Sequence, residues 1–92
     1  MSHEVPPPFP LPDGTGFTRG RIGAVAIWHV WRRSNPADEV RLYLRPSSGV
    51  YRLTPHHYAG GIGTPSGPDR CAVPADVGAV LAEMVAALPT GH

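Results

Sequence analysis

The sequence has no lysine, a single cysteine and no long apolar run, and each absence removes a class of explanation. One cysteine, Cys71, cannot close an internal disulfide, so no covalent staple holds the fold. No stretch approaches the ~20 apolar residues that span a bilayer. The N-terminus also lacks a basic segment followed by an apolar one. The chain therefore reads as cytoplasmic and soluble, with no membrane partner. Charge is sparse at 16%, and the formal net charge of +1 is too small to argue for nucleic acid from totals alone. All eight cations are arginine. With the abundance of Ala, Gly and Pro this fits a coding bias, but it makes every positive charge a flat guanidinium able to stack and to bind in bidentate fashion.

Several chemical signatures are missing too. Gly60-Gly61-Ile62-Gly63 lacks the downstream Lys-Ser/Thr of a phosphate loop. No Cys-x-x-Cys or His-x-x-x-His spacing points to metal, and the adjacent His56 and His57 point to opposite sides of an extended chain. Asp38 and Glu39 fall in a stretch with turn composition and Glu83 on the polar side of a helix, so no carboxylate pair is set up for acid–base work. No cofactor motif and no internal repeat is present.

What is present is a domain of ordinary apolar content (41%) with twelve prolines and eleven glycines, hence much turn structure. Residues 1–20 read as a tail or strap. The run Pro6 to Pro12 favours polyproline II and forbids helix, and it would lay Phe9, Leu11 and Phe17 on the body. Residues 21–92 read as one small α+β domain. Ile22–Arg33 is the most apolar stretch and is predicted to be one strand, with Trp28 and Trp31 on opposite faces. Ser34–Glu39 reads as a turn. Val40–Arg45 alternates cleanly, Pro46–Gly49 forms a hairpin loop, and Val50–Thr54 returns. If Arg45 faces Val50, then Leu44 faces Tyr51, Leu42 faces Leu53, and the core face is Val40, Leu42, Leu44, Tyr51 and Leu53. Pro55–Arg70 reads as a long loop with a short extended piece at His56 to Tyr58. Val77, Val80, Leu81, Met84, Val85 and Leu88 then recur at helical spacing, which predicts a C-terminal helix lying on that core face. Gly78 costs this helix about 1 kcal/mol relative to alanine. The expected fold is a three-stranded antiparallel meander with one C-terminal amphipathic helix on one face and a proline-rich N-terminal strap.

Three functional readings compete. The leading one is a non-enzymatic protein-interaction or regulatory module that binds a protein partner and itself forms a homodimer. Its interface would be the doubly apolar strand at Trp28, Val30 and Trp31, by face packing or by edge pairing. The second is single-stranded nucleic-acid binding through Arg41, Tyr43, Arg45 and Arg52, because guanidinium groups with an interleaved ring suit phosphates and bases. The third is a cysteine-dependent enzyme: Cys71 precedes the helix, whose N-terminus lowers a thiol pKa, and His56 or His57 would serve as base.

Overall fold

Gly23 decides the first half of the molecule. It takes positive φ as the leading residue of a two-residue turn closed by Ile22 opposite Val25, a conformation that glycine adopts without steric cost. The apolar run is thereby cut into two strands. A computed structural model describes residues 6–89, so residues 1–5 of the expected strap lie outside it. The elements are β1 (Thr15–Ile22), β2 (Val25–Arg32), β3 (Asn35–Arg45), β4 (Val50–Ala59), β5 (Ile62–Pro65), β6 (Arg70–Ala72) and α1 (Val77–Ala87). The sheet is antiparallel in the order β1-β2-β3-β4-β5, and β6 pairs with β4 beside β5. The architecture is α+β, but the meander has six strands rather than three.

Besides the short β6 at Arg70–Ala72, which pairs with β4, three corrections account for the difference. First, residues assigned to the strap form β1, so a boundary at residue 20 falls inside a strand. Second, the expected turn at Ser34–Glu39 shrinks to Arg33-Ser34. β3 starts at Asn35, and a register shift at Trp31/Arg32 absorbs the irregularity. Third, the supposed long loop contains the end of β4 and all of β5, joined through Gly60 and Gly61. Both glycines have positive φ, as a two-residue hairpin turn of type I′ requires. Pro55 hid this strand, because proline is normally confined to sheet edges. Its carbonyl accepts a bond from Ser66 N at 2.9 Å, so the place of its missing N–H faces the gap between β5 and β6, where no strand needs a donor.

The hairpin register is the expected one, with Arg45 opposite Val50, Leu44 opposite Tyr51 and Leu42 opposite Leu53. Period-two alternation then divides the sheet into two faces. One carries Trp28, Val30, Val40, Leu42, Tyr51 and Leu53, all buried beneath α1 and the strap. The helix contributes Val77, Leu81, Met84, Val85 and Leu88 to this core, as its periodicity predicts. Leu44, at the open end, stays 41% exposed.

The strap covers what the helix does not reach. Phe9 is buried and sits edge-on to Trp28 (6.1 Å between centroids) and Tyr51 (5.8 Å), contacts worth about 0.5–1.5 kcal/mol each beyond area burial. Gly78 is explained by the same packing: a Cβ there would meet Pro10 Cγ at 2.5 Å. Arg32 fastens the far end of the helix, donating to the carbonyls of Val85 (2.5 Å) and Ala86 (3.0 Å). A cation at that terminus also complements the helix dipole. No helix among the described residues is long and apolar enough to cross a membrane.

Candidate functional site

The opposite face of the sheet is covered by no described element. From β1 it presents Gly16, Thr18, Gly20 and Ile22; from β2, Val25, Ile27, His29 and Trp31. β3 adds Glu39, Arg41, Tyr43 and Arg45, and β4 adds Val50, Arg52, Thr54, His56 and Tyr58. The glycines and threonine of β1 leave the β2 side chains bare from the side, and the Trp31 ring lies across Gly16.

A polar network crosses the middle of this face. His29 Nδ1 is 2.5 Å from Glu39 Oε2, and Arg41 Nε donates to the same oxygen at 3.1 Å. Arg41 also donates to the Tyr58 hydroxyl, and its guanidinium lies over the Tyr58 ring at 5.4 Å. Tyr58 can reach inward because residue 63 is glycine: a Cβ there would come within 2.7 Å of the ring. Burial disfavours ionisation of Glu39, but hydrogen bonds and charge from His29 and Arg41 outweigh it and hold the carboxyl below its ordinary range. A second cluster lies nearer the β6 side. Arg52 donates to Asp69 through Nε (2.8 Å) and Nη2, and Thr54 Oγ1 donates to Asp69 Oδ1 at 2.9 Å. These contacts keep the Asp69 carboxyl low. Between the clusters is a shallow hollow of about 290 Å³, floored by Ile27 and Tyr43 and flanked by Arg41 and Arg52.

Arg41, Tyr43, Arg45 and Arg52 therefore do share one face, as the alternation implies. Two of the three guanidinium groups are engaged by carboxylates of that face, and among the described residues no carboxylate pairs with Arg45. The apolar strand divides differently. Trp28 and Val30 fill this chain's own core, with Trp28 against Phe9, Phe17 and Arg19, and only Trp31 reaches the open face. An interface using all three would have to open the core.

Cys71 is exposed on β6 opposite Arg52. Four strand positions, about 13 Å, separate it from the level of His56, and His57 points to the other side of the sheet. There His57 Nδ1 is 2.8 Å from the buried Asp38, which also accepts from Asn35 at 2.8 Å. The two histidines are split between faces as expected for adjacent residues of a strand, and neither stands beside the thiol. Among the described residues no three His, Cys, Asp or Glu side chains gather as a metal cluster.

Sequence reasoning missed Tyr58, Glu39 and His29 as members of one network. The only available signal was parity: with β4 continued past Pro55, Tyr58 falls on the same side as Arg52 and Thr54. No family model, no curated protein and no solved structure matches the chain.

Proposed function

We propose that this protein is a small non-enzymatic interaction module of the cytoplasm that docks a protein partner on the open face of its sheet. The observation that carries this reading is the contrast in cover. The helix and strap close one face, while the other leaves Trp31, Tyr43, Ile27 and Ile22 accessible around a pinned polar network. Tryptophan, tyrosine and arginine are the residue types that dominate protein-binding energetics. The network is arranged before any partner arrives, which lowers the ordering cost of association. A lone cysteine without a disulfide partner fits a reducing compartment.

Electrostatics support protein over nucleic acid as the partner. A phosphate backbone demands free cations, whereas Glu39 sits at the centre of this face and Asp69 occupies Arg52. The partner's chemistry follows from the pattern: apolar side chains against Ile22, Val25 and Ile27, and an acidic group for Arg45. The shared face of Arg41, Tyr43, Arg45 and Arg52 keeps single-stranded nucleic acid as the competing reading.

Site-specific photo-crosslinking in cells tests this. A benzoylphenylalanine at Ile27 should trap one discrete protein, and the same group at the solvent side of the helix, Ala82, should not. The trapped protein, purified, should bind the wild type and lose affinity with Ile27→Asp. Equal labelling from both positions would remove the face from consideration. Oligonucleotide binding at low salt that falls steeply with added salt and with Tyr43→Ala would transfer the function to nucleic acid.

A further inference from the structure

The first strand carries a second, separate surface. Parity along β1 is fixed at both ends: the turn closes on Ile22 opposite Val25, and Arg33 N donates to Gly14 O at 2.9 Å beyond the other end. The even-numbered residues thus turn their backbone groups toward β2. Those of Thr15, Phe17, Arg19 and Arg21 turn away from the sheet, where no described strand pairs with them. Thr15 O is taken by Arg33 Nε, and the N–H and C=O groups of Phe17, Arg19 and Arg21 have no partner among the described residues. Edge strands are normally blunted by proline, a bulge, short length or outward charge. β1 is eight residues long, its register with β2 is unbroken, and it contains no proline. On the open face it presents only Gly16, Thr18, Gly20 and Ile22, and Arg19 is drawn aside over Trp28 at 5.4 Å.

We infer that β1 pairs antiparallel with β1 of a second copy of this chain, about a two-fold axis through Thr18, joining two sheets into one. The residues select this register. Centred on Thr18, Phe17 of each copy faces Arg19 of the other, and the two exchange both N–H···O bonds. The arginine then meets an aromatic ring, Thr18 meets Thr18, and Gly16 meets Gly20. Threonine pairs are favourable cross-strand neighbours. A pairing centred on Arg19 sets two guanidinium groups directly opposite each other, which is destabilising. One centred on Phe17 uses only Thr15–Arg19, because Pro12 to Gly14 lie outside the strand. The Thr18-centred pairing uses Thr15–Arg21. The open faces of the two copies become continuous across a glycine- and threonine-lined seam. This surface is an edge and not the open face, so the inference stands or falls independently of the partner proposed above.

Disulfide trapping tests the register. In a Cys71→Ser background, Thr18→Cys should convert to covalent dimer under a mild glutathione redox buffer, because the two β-carbons approach to within disulfide reach at a non-hydrogen-bonded pair. Ile62→Cys, also exposed but on β5, should form no covalent dimer. Arg19→Pro removes an outward N–H and leaves the β1–β2 ladder intact. It should keep the wild-type circular dichroism and shift the light-scattering mass from two chains to one. Three results would overturn the inference: a wild-type protein of single-chain mass at all concentrations tested, Thr18→Cys trapping no faster than Ile62→Cys, or a dimer that survives in folded Arg19→Pro.

Discussion

The two faces of the sheet are written by the same strands yet obey different rules. On the helix side, β3 gives Val40 and Leu42 and β4 gives Leu53, each fully buried, and the cohesion is apolar. One residue further along, Glu39, Arg41 and Thr54 face the other way, where cohesion comes from directed bonds among charged and aromatic groups. Among the described residues no buried side-chain polar atom lacks a partner, so the second face is satisfied without being covered. Burial stabilises in proportion to area and scarcely depends on pH. A hydrogen-bonded ionic network contributes less and is sensitive to protonation. One face maintains the fold, and the other is the one proposed above for recognition.

The largest effect should come from the covered face. Leu42→Ala opens a cavity under the helix and should cost about 2–5 kcal/mol, read as a lower urea midpoint with an unchanged slope. A loss below 1 kcal/mol would show that the helix and strap do not close on β3 as described.

Gly78→Ala sets the two sides of the cover against each other. In an isolated helix the change would gain about 1 kcal/mol. Here the new methyl meets the rigid Pro10 ring, so the strap must lift off Trp28 and Tyr51. A net destabilisation is expected, together with increased exposure of Trp28 in its fluorescence. A stabilised protein would show that the strap is not seated against the helix.

The open face should respond next, through pH. Glu39 has a folded pKa below its ordinary value of 4.5, so its ionised form contributes stability that is complete above that value and is lost as pH falls through the lower folded value. Glu39→Gln should destabilise by about 1–3 kcal/mol at neutral pH. The difference from wild type should stay flat down to the ordinary value and shrink below it. A difference that persists unchanged into strong acid would exclude the ionised network as its source.

The smallest effect belongs to the rim. Arg52 and Asp69 form an exposed pair, and such pairs contribute little. Arg52→Ala should leave the unfolding midpoint within error, and a clear loss would mean that the β4–β6 contact depends on it.

How far these faces could be read in advance differs along the chain. The helix was legible because Val77, Leu81, Met84, Val85 and Leu88 repeat on one side, and a period needs no partner to be seen. The β3–β4 hairpin was legible because Val40 to Arg45 alternate and a four-residue loop fixes the register. The Arg41–Tyr43–Arg45–Arg52 face followed from that parity. β1 was not legible: Thr15 to Gly20 follows the proline-rich run and is interrupted by Gly16 and Gly20, which weaken a strand's local signal, and it is a strand because β2 supplies its hydrogen bonds. The extended piece at His56 to Tyr58 was legible, but Pro55, whose local signal opposes a strand, hid that it continues Val50–Thr54 as one strand, β4. The Glu39–Arg41–Tyr58 network inherited that blindness, since Tyr58 joins it only once β4 runs on to Ala59.

The sequence by itself determined the periodic elements, the apolar side of each and the absence of a disulfide within these 92 residues, because periodicity and composition can be read without knowing which segments meet. Tertiary structure alone decided that Trp28 belongs to the core, that residue 78 must be glycine, that Arg32 caps a helix 53 residues away and that two carboxylates restrain two arginines. Most of these depend on which segments meet in space: the strap closes on Trp28 and Gly78, β2 meets the end of the helix through Arg32, and Asp69 is carried to Arg52 by the segment that leads into β6.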